Sequence, residues 1–328
     1  MHQVGVDVWR DIFNQLDSRT QIRLSQCNRF LNNNIDLTII NEYEIRKKLT
    51  TDVLKLDKFR YLRSLNLSYN AQVTDISFLT HLQILDISHH NFEDTLIGQN
   101  SISQLDLISL NASHNKEIND VSHMKALKIL DAGIHCGINQ QGIRGLDLVE
   151  LNLTFNKHIT DISFMKNLKI LKLGDCKVNQ KGIAGLTLIE ELCLWNNKTI
   201  TDISFMKNLK KLNAMGRSCR IGQDNLIGHN LYELNVMGNK NITDVSFMTN
   251  LRVLDASYGC GIDQNGIFGL DLISLNAWDN KNIYDVSFMT NLKYLTATGK
   301  CGIDETGIAG LKLIRLVSHG NTKIKSRK

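Results

Sequence analysis

Four segments of the chain repeat one another almost word for word. NKHITDISFMKNL from Asn156, NKTITDISFMKNL from Asn197, NKNITDVSFMTNL from Asn239 and NKNIYDVSFMTNL from Asn280 recur every 41 or 42 residues. A fixed internal period constrains the fold strongly, because a unit too short to bury its own apolar face must stack against its copies. Aligned on its leucines, the chain resolves into two alternating units, each about 20 residues long. The A unit opens at Leu62, Leu107, Leu148, Leu188, Leu231, Leu272 and Leu313; the B unit opens at Leu82, Leu127, Leu168, Leu209, Leu251 and Leu292. Thirteen units result, the last cut short.

Each unit begins L-x-x-L-x-(L/A/I/V), as in LVELNL from Leu148 and LRVLDA from Leu251. Side chains then alternate inward and outward over a few residues, as a short strand requires. Five residues past the second leucine every A unit has an asparagine: Asn70, Asn115, Asn156, Asn197, Asn239, Asn280 and Asn321. The matching bend of the B units carries Asn91 once and then Cys136, Cys176, Cys219, Cys260 and Cys301. A side chain buried in such a bend must satisfy nearby backbone groups, which a carboxamide does with donors and an acceptor and a thiol does more weakly. The pattern L-x-x-L-x-L-x-x-(N/C) resembles leucine-rich repeats. The resemblance implies an α/β fold, a leucine-rich-repeat solenoid over residues 62–328. Its parallel strands would line a concave face, with short turns or helical turns on the convex face.

Composition narrows the function classes. The chain is 42% hydrophobic and 22% charged, which excludes disorder, and it has no proline, so Gly, Asn and Asp must make its turns. No apolar stretch is long enough for a membrane span, and the N-terminus MHQVGVDVWR lacks the pattern of a secretion signal, so an intracellular protein is expected. A net charge of +5 without a basic stripe gives no support to nucleic-acid binding. Residues in every second strand lie about 10 Å apart, beyond the reach of a disulfide or a shared zinc, so the cysteine row reads as structural thiols. Cys193 falls at an outward strand position and reads as an exposed thiol. Asp75, Asp120, Asp161, Asp202, Asp244 and Asp285 recur at one place before an inward set such as Phe247 and Met248, and read as caps of short convex turns. His89, His90, His114 and His135 cluster without a completing carboxylate or thiol, so no metal is expected. No phosphate-binding glycine loop, nucleophile elbow or metal-ligand helix pair is present in the sequence; it offers no catalytic residue and implies no cofactor.

Residues 1–35 follow a different pattern. Trp9, Ile12, Phe13 and Leu16 fall on one face of a helix, and Ile22, Leu24, Phe30 and Leu31 suggest two further short helices. This segment resembles an F-box, through Val8-Trp9, Ile12-Phe13, Leu16, Ile22, Leu24 and Gln26-Cys27-Asn28-Arg29-Phe30, with Val6-Asp7 where that family often has Leu-Pro. The resemblance implies docking of a Skp-family linker protein and, through it, a cullin. An F-box followed by leucine-rich repeats is similar to substrate-receptor subunits of ubiquitin ligases, and the near-identical repeats resemble those encoded by giant viruses that infect amoebae. Residues 36–61 read as a linker and N-terminal capping repeat, with a degenerate strand and its turn asparagine in DLTIIN.

Outward strand positions of a solenoid form its usual binding surface. One outward column reads Asn66, Asp86, Asn111, Asp131, Asn152, Lys172, Cys193, Asn213, Asn235, Asp255, Asn276, Thr296 and Val317 and carries no evident chemistry. Two residues further on, Ser68, Ser88, Ser113, Gly133, Thr154 and Gly174 give way to Trp195, Met215, Met237, Ser257 and Trp278. With Phe155 and Tyr258 alongside, these residues are expected to bind a protein substrate, since Trp and Tyr dominate protein-binding hot spots and Met adapts to varied surfaces.

Overall fold

The computed structural model describes residue 20 and residues 39–41, 46–88 and 97–325. The chain divides into two compact units, Met1–Ile159 and Thr160–Lys328. In the first lie β1 (Ile39–Ile40), β2 (Ser64–Asn66), β3 (Ile84–Asp86), β4 (Ser109–Asn111), β5 (Ile129–Asp131) and β6 (Glu150–Asn152). In the second lie β7 (Ile170–Lys172), β8 (Glu191–Cys193), β9 (Lys211–Asn213), β10 (Glu233–Asn235), β11 (Val253–Asp255), β12 (Ser274–Asn276), β13 (Tyr294–Thr296) and β14 (Arg315–Val317). Within each unit every strand pairs in parallel with the next in chain order. A parallel neighbour requires a crossover. Here the rest of each coil supplies it, and the fold is a leucine-rich-repeat solenoid.

The strands are short because their own side chains end them. The last strand residue is usually Asn or Asp, and its Oδ1 accepts the backbone N–H two residues on: Ser68 to Asn66 at 2.9 Å, Gly133 to Asp131 at 2.9 Å, Met237 to Asn235 at 3.0 Å, Ser257 to Asp255 at 3.1 Å. Such a local bond competes with the ladder and turns the chain. The polar column that showed no chemistry in the sequence thus terminates the strands. A left-handed residue follows, for example Tyr69 at φ 63°, Asn196 at φ 50° or Gly238 at φ 68°.

The buried asparagines then close the bend. Asn156 donates to the Ala132 and Ile138 carbonyls at 2.8 and 3.2 Å and accepts from the His158 and Ile159 amides at 2.8 and 3.0 Å. On the convex side the aspartate row caps turns as expected, with Ser122 and Ser204 amides 2.8 Å from Asp120 and Asp202. A second clamp has no counterpart in the sequence reading. Gln264 of a B unit donates to the Asp285 carbonyl at 2.8 Å and accepts from the Tyr284 and Asp285 amides at 3.0 and 2.9 Å, and Gln99, Gln180 and Gln223 grip the next A unit in the same way. Two residues after Gln264 only glycine fits, because a Cβ on Gly266 would stand 2.2 Å from the Thr243 carbonyl oxygen.

Three sequence expectations about the coils' packing and bends need correction. Leu188 is 40% exposed, and the buried residue that opens its unit is Ile189, where the 41-residue step from Leu148 lands. Phe247 is 42% exposed, so the inward partners of Met248 are Val245 and its equivalents rather than the phenylalanines. Asn41 is not a turn asparagine: the register of β1 on β2 sets it beside Asn66, at the strand end. Between β1 and β2 a short helix, α1 (Thr51–Leu54), is capped by the Thr50 hydroxyl, which accepts from the Val53 amide at 3.2 Å, and buries Leu54 with Leu49 and Phe59.

Candidate protein-binding surface

The second unit brings Trp195, Met215, Met237, Ser257 and Trp278 into one row. Beyond the strand ends, the residue that follows each of these donates its amide to the carbonyl of the next one in the row. Asn196 bonds Met215 at 3.0 Å, Gly216 bonds Met237 at 2.8 Å, Gly238 bonds Ser257 at 3.1 Å, and Tyr258 bonds Trp278 at 2.7 Å. The strand-end asparagines Asn213, Asn235 and Asn276 hold the amides of Met215, Met237 and Trp278 from the other side. Backbone bonds on both flanks fix the row, and four strand steps place its tryptophans about 19 Å apart.

At its far end Tyr258 is 46% exposed and Trp278 37% exposed, with ring centroids 5.5 Å apart and planes tilted by 40°. The Arg217 guanidinium lies 5.9 Å from the Tyr258 ring centroid. Tyr258 has φ 55°, whereas glycine fills the corresponding place after β9 and β10. A non-glycine residue there costs roughly 1 kcal/mol or more in backbone strain, a cost the fold also carries at Tyr69, His114, Phe155, Asp175, Asn196 and Asp279. Trp195, Met215 and Met237 are half-buried, so each has a packed base and an open face.

Beside this row, one column back, a cleft of about 180 Å³ opens among Lys172, Glu191, Cys193, Lys211, Asn213, Glu233 and Asn235. One charge pair belongs to its lining and another stands outside it. Lys211 stands 2.7 Å from Glu191, and that bond holds the ammonium above its usual range. Hydrogen bonds from Lys210 and Lys169, at 2.5 and 3.2 Å, hold the Glu190 carboxyl below its usual range. Exposed pairs of this kind contribute little to stability. Cys193 is not the exposed thiol expected of its position: it is half-buried, burial pushes the thiol up, and its sulfur takes the Trp195 amide that an asparagine accepts in other units.

Phe155 belongs to the first unit. It holds the left-handed place, φ 62°, that Tyr258 holds in the second, with the Lys157 ammonium 5.9 Å from its ring centroid. His114 and His135 stand with centroids 6.2 Å apart, and among the described residues no group of three potential metal ligands forms. His89, His90 and Asn91 lie outside the described residues, as do Val8, Trp9, Ile12, Phe13, Leu16, Ile22 and Leu24 of the head. No described helix is long and apolar enough to cross a membrane.

Residues 60–76 and 78–95 match the Leucine Rich repeat family. No curated protein matches the chain by sequence. Among solved structures, the yeast Rad7–Elc1 complex aligns over 99% of this chain and 89% of its own at 16% identity and a TM-score of 0.50. TLR13 in its complex with ssRNA13 aligns over 80% of this chain and 48% of its own, at 20% identity and a TM-score of 0.50. The internalin InlF of Listeria monocytogenes aligns over 79% and 75% at 21% identity and a TM-score of 0.47. Likeness at these identities is likeness of fold. The protein is a leucine-rich-repeat solenoid, an architecture that serves as a scaffold for binding other proteins.

Proposed function

We propose that the chain is a non-catalytic, intracellular substrate-recognition adaptor of a Skp–cullin–F-box type ubiquitin ligase. In this reading residues 1–35 dock the linker protein through Val8, Trp9, Ile12, Phe13, Leu16, Ile22 and Leu24, residues 36–61 cap the array, and residues 62–328 hold a protein substrate. The observation that carries the binding role is the row Trp195–Met215–Met237–Ser257–Trp278, with the exposed Tyr258 ring against Trp278 at its edge. Such a span suits a peptide or the edge of a folded protein, and exceeds what a small metabolite covers. Phe155 serves the same role on the first unit. The ubiquitin role is supported by the F-box resemblance of the head.

Affinity purification of the full chain tests both halves. A Skp-family protein and a cullin should co-purify, and the double change Ile12→Ala, Phe13→Ala should remove them while leaving substrate proteins bound. Trp195→Ala and Trp278→Ala should do the opposite, each weakening the substrate by about 2 kcal/mol, roughly thirtyfold. Absence of any Skp-family protein from the wild-type eluate, with tryptophan-dependent partners still present, would leave a freestanding scaffold and sink the ligase reading. Tryptophan variants that keep every partner would move the binding surface elsewhere.

A further inference from the structure

The convex turn that precedes β10 contains a histidine where the repeat calls for leucine. In the units around it the residue after the left-handed glycine is Leu146, Leu186 or Leu270, each buried, with Leu186 and Leu270 amides bonded to the carbonyl three residues back. His229 follows Gly228 in the same way, its amide 3.0 Å from the Leu226 carbonyl, and only 4% of it is exposed. The turn that leads to it also differs from its neighbours, running over Gln223–Leu226 with Asn225 where they have glycine, and His229 still takes the buried place of their leucines. Neither ring nitrogen touches solvent or has a well-aligned hydrogen-bond partner. A neutral imidazole carries one N–H donor and one acceptor; the Ile203 carbonyl meets the ring only imperfectly, and a group left unmet in an apolar row costs about 1–3 kcal/mol.

The charged groups around the ring are Lys207 and Asp202. The Lys207 ammonium lies over the preceding residue, 3.6 Å from where a Cβ would stand on Gly228. Burial first, then the Lys207 charge, hold the imidazole below its ordinary value, against the smaller opposing pull of the Ile203 carbonyl and Asp202. The unfolded chain therefore takes up the proton before the folded one does. Stability contributed by the neutral ring is complete above the ordinary imidazole value of about 6.5 and is lost as pH falls below it.

We propose that His229 is an acid-sensitive latch: on protonation it leaves its buried row, and the β9–β10 connection from Gly222 to Asn230 opens. The device acts on the segment that leads into β10 and Met237, and it stands whether or not the ligase reading holds. Leucine at this place has no titrating group; histidine gives a coil whose packing weakens as pH falls below about 6.5.

Thermal melts and hydrogen exchange of the full chain at about pH 7.5 and about pH 5.5 test it. Wild type should melt lower at the acid pH, and amides of residues 222–235 should exchange faster there than their intrinsic rates explain. His229→Leu should abolish most of both differences. Lys207→Met, a surface change that keeps the histidine, should shrink the melting difference by relieving the cationic neighbour. An acid drop of wild-type size in His229→Leu overturns the proposal. If that variant does not fold, an undiminished drop in Lys207→Met does so.

Discussion

The two kinds of bend in this chain solve one problem with different chemistry. In the first unit Asn156 fills its turn with two donated and two accepted hydrogen bonds. Cys136, one coil earlier and fully buried, accepts only weakly, from the Ile138 and Gly137 amides, and where bend thiols donate, as Cys260 does to the Ala256 carbonyl at 3.1 Å, the bond stays within their own coil. The carboxamide stitches neighbouring coils together by reaching back to their carbonyls. The thiol mostly fills volume. Similar burial therefore hides unequal contributions, and the alternation of A and B units is an alternation of stitched and packed bends.

The sharpest way to break this comparison is to exchange the chemistry. Asn156→Cys should destabilise the protein by about 3 kcal/mol or more in chemical denaturation, because it strands the Ala132 and Ile138 carbonyls. Cys136→Ala should cost only about 1 kcal/mol. Equal costs would mean that bend volume alone matters. A smaller effect separates amide caps from carboxylate caps. Hydrogen bonds from Ser122 and Ser204 hold the Asp120 and Asp202 carboxyls below their usual value, as the Asn291 amide does for Asp271. Their contribution is present above the unfolded carboxylate value of about 3.9 and is lost as pH falls through the lower folded values. Acid titration below about pH 4 should therefore unfold wild type more steeply than an Asp120→Asn, Asp202→Asn variant, and identical profiles would dismiss these caps as titrating groups. The smallest effect concerns reactivity. Burial pushes the Cys136 thiol up to about 12 and the Cys219 and Cys260 thiols up to about 11. Alkylation of native protein followed by mass spectrometry should label Cys193 first and the bend cysteines only as coils open. Early labelling of Cys260 would show its coil to be looser than its packing implies.

The strand register was legible because period two and the 41-residue step act together. Asn66, Asp86, Asn111, Asp131 and Asn152 pair as read, and so do the eight residues from Lys172 to Val317. The buried asparagines and the aspartate caps were also legible, since residue chemistry at a fixed place limits its use. Leu188 was misread because the neighbouring Ile189 is equally apolar and only the period distinguishes them. Phe247 was misread because hydrophobicity does not reveal which way a short irregular turn faces. The glutamine clamps left no signal of their own: a polar side chain on a loop looks solvated until its three backbone partners are placed. At the candidate surface the row of large residues could be read, but the strain at Tyr258 could not, since φ is set by the turn around it.

The clamp that Gln264 lays across Tyr284 and Asp285 bears on how such a gene can grow. A glutamine from a B coil grips an A coil, and an A coil's asparagine reaches back to a B coil, so the two are unlike tiles with directional edges. Duplicating a single coil would set like against like and leave one set of edges unmatched. Copying an A–B pair preserves every edge, so unequal recombination can lengthen or shorten the array only in steps of about 41 residues without a folding penalty. The near-verbatim copies at Asn156, Asn197, Asn239 and Asn280 are spaced as that grain of inheritance requires.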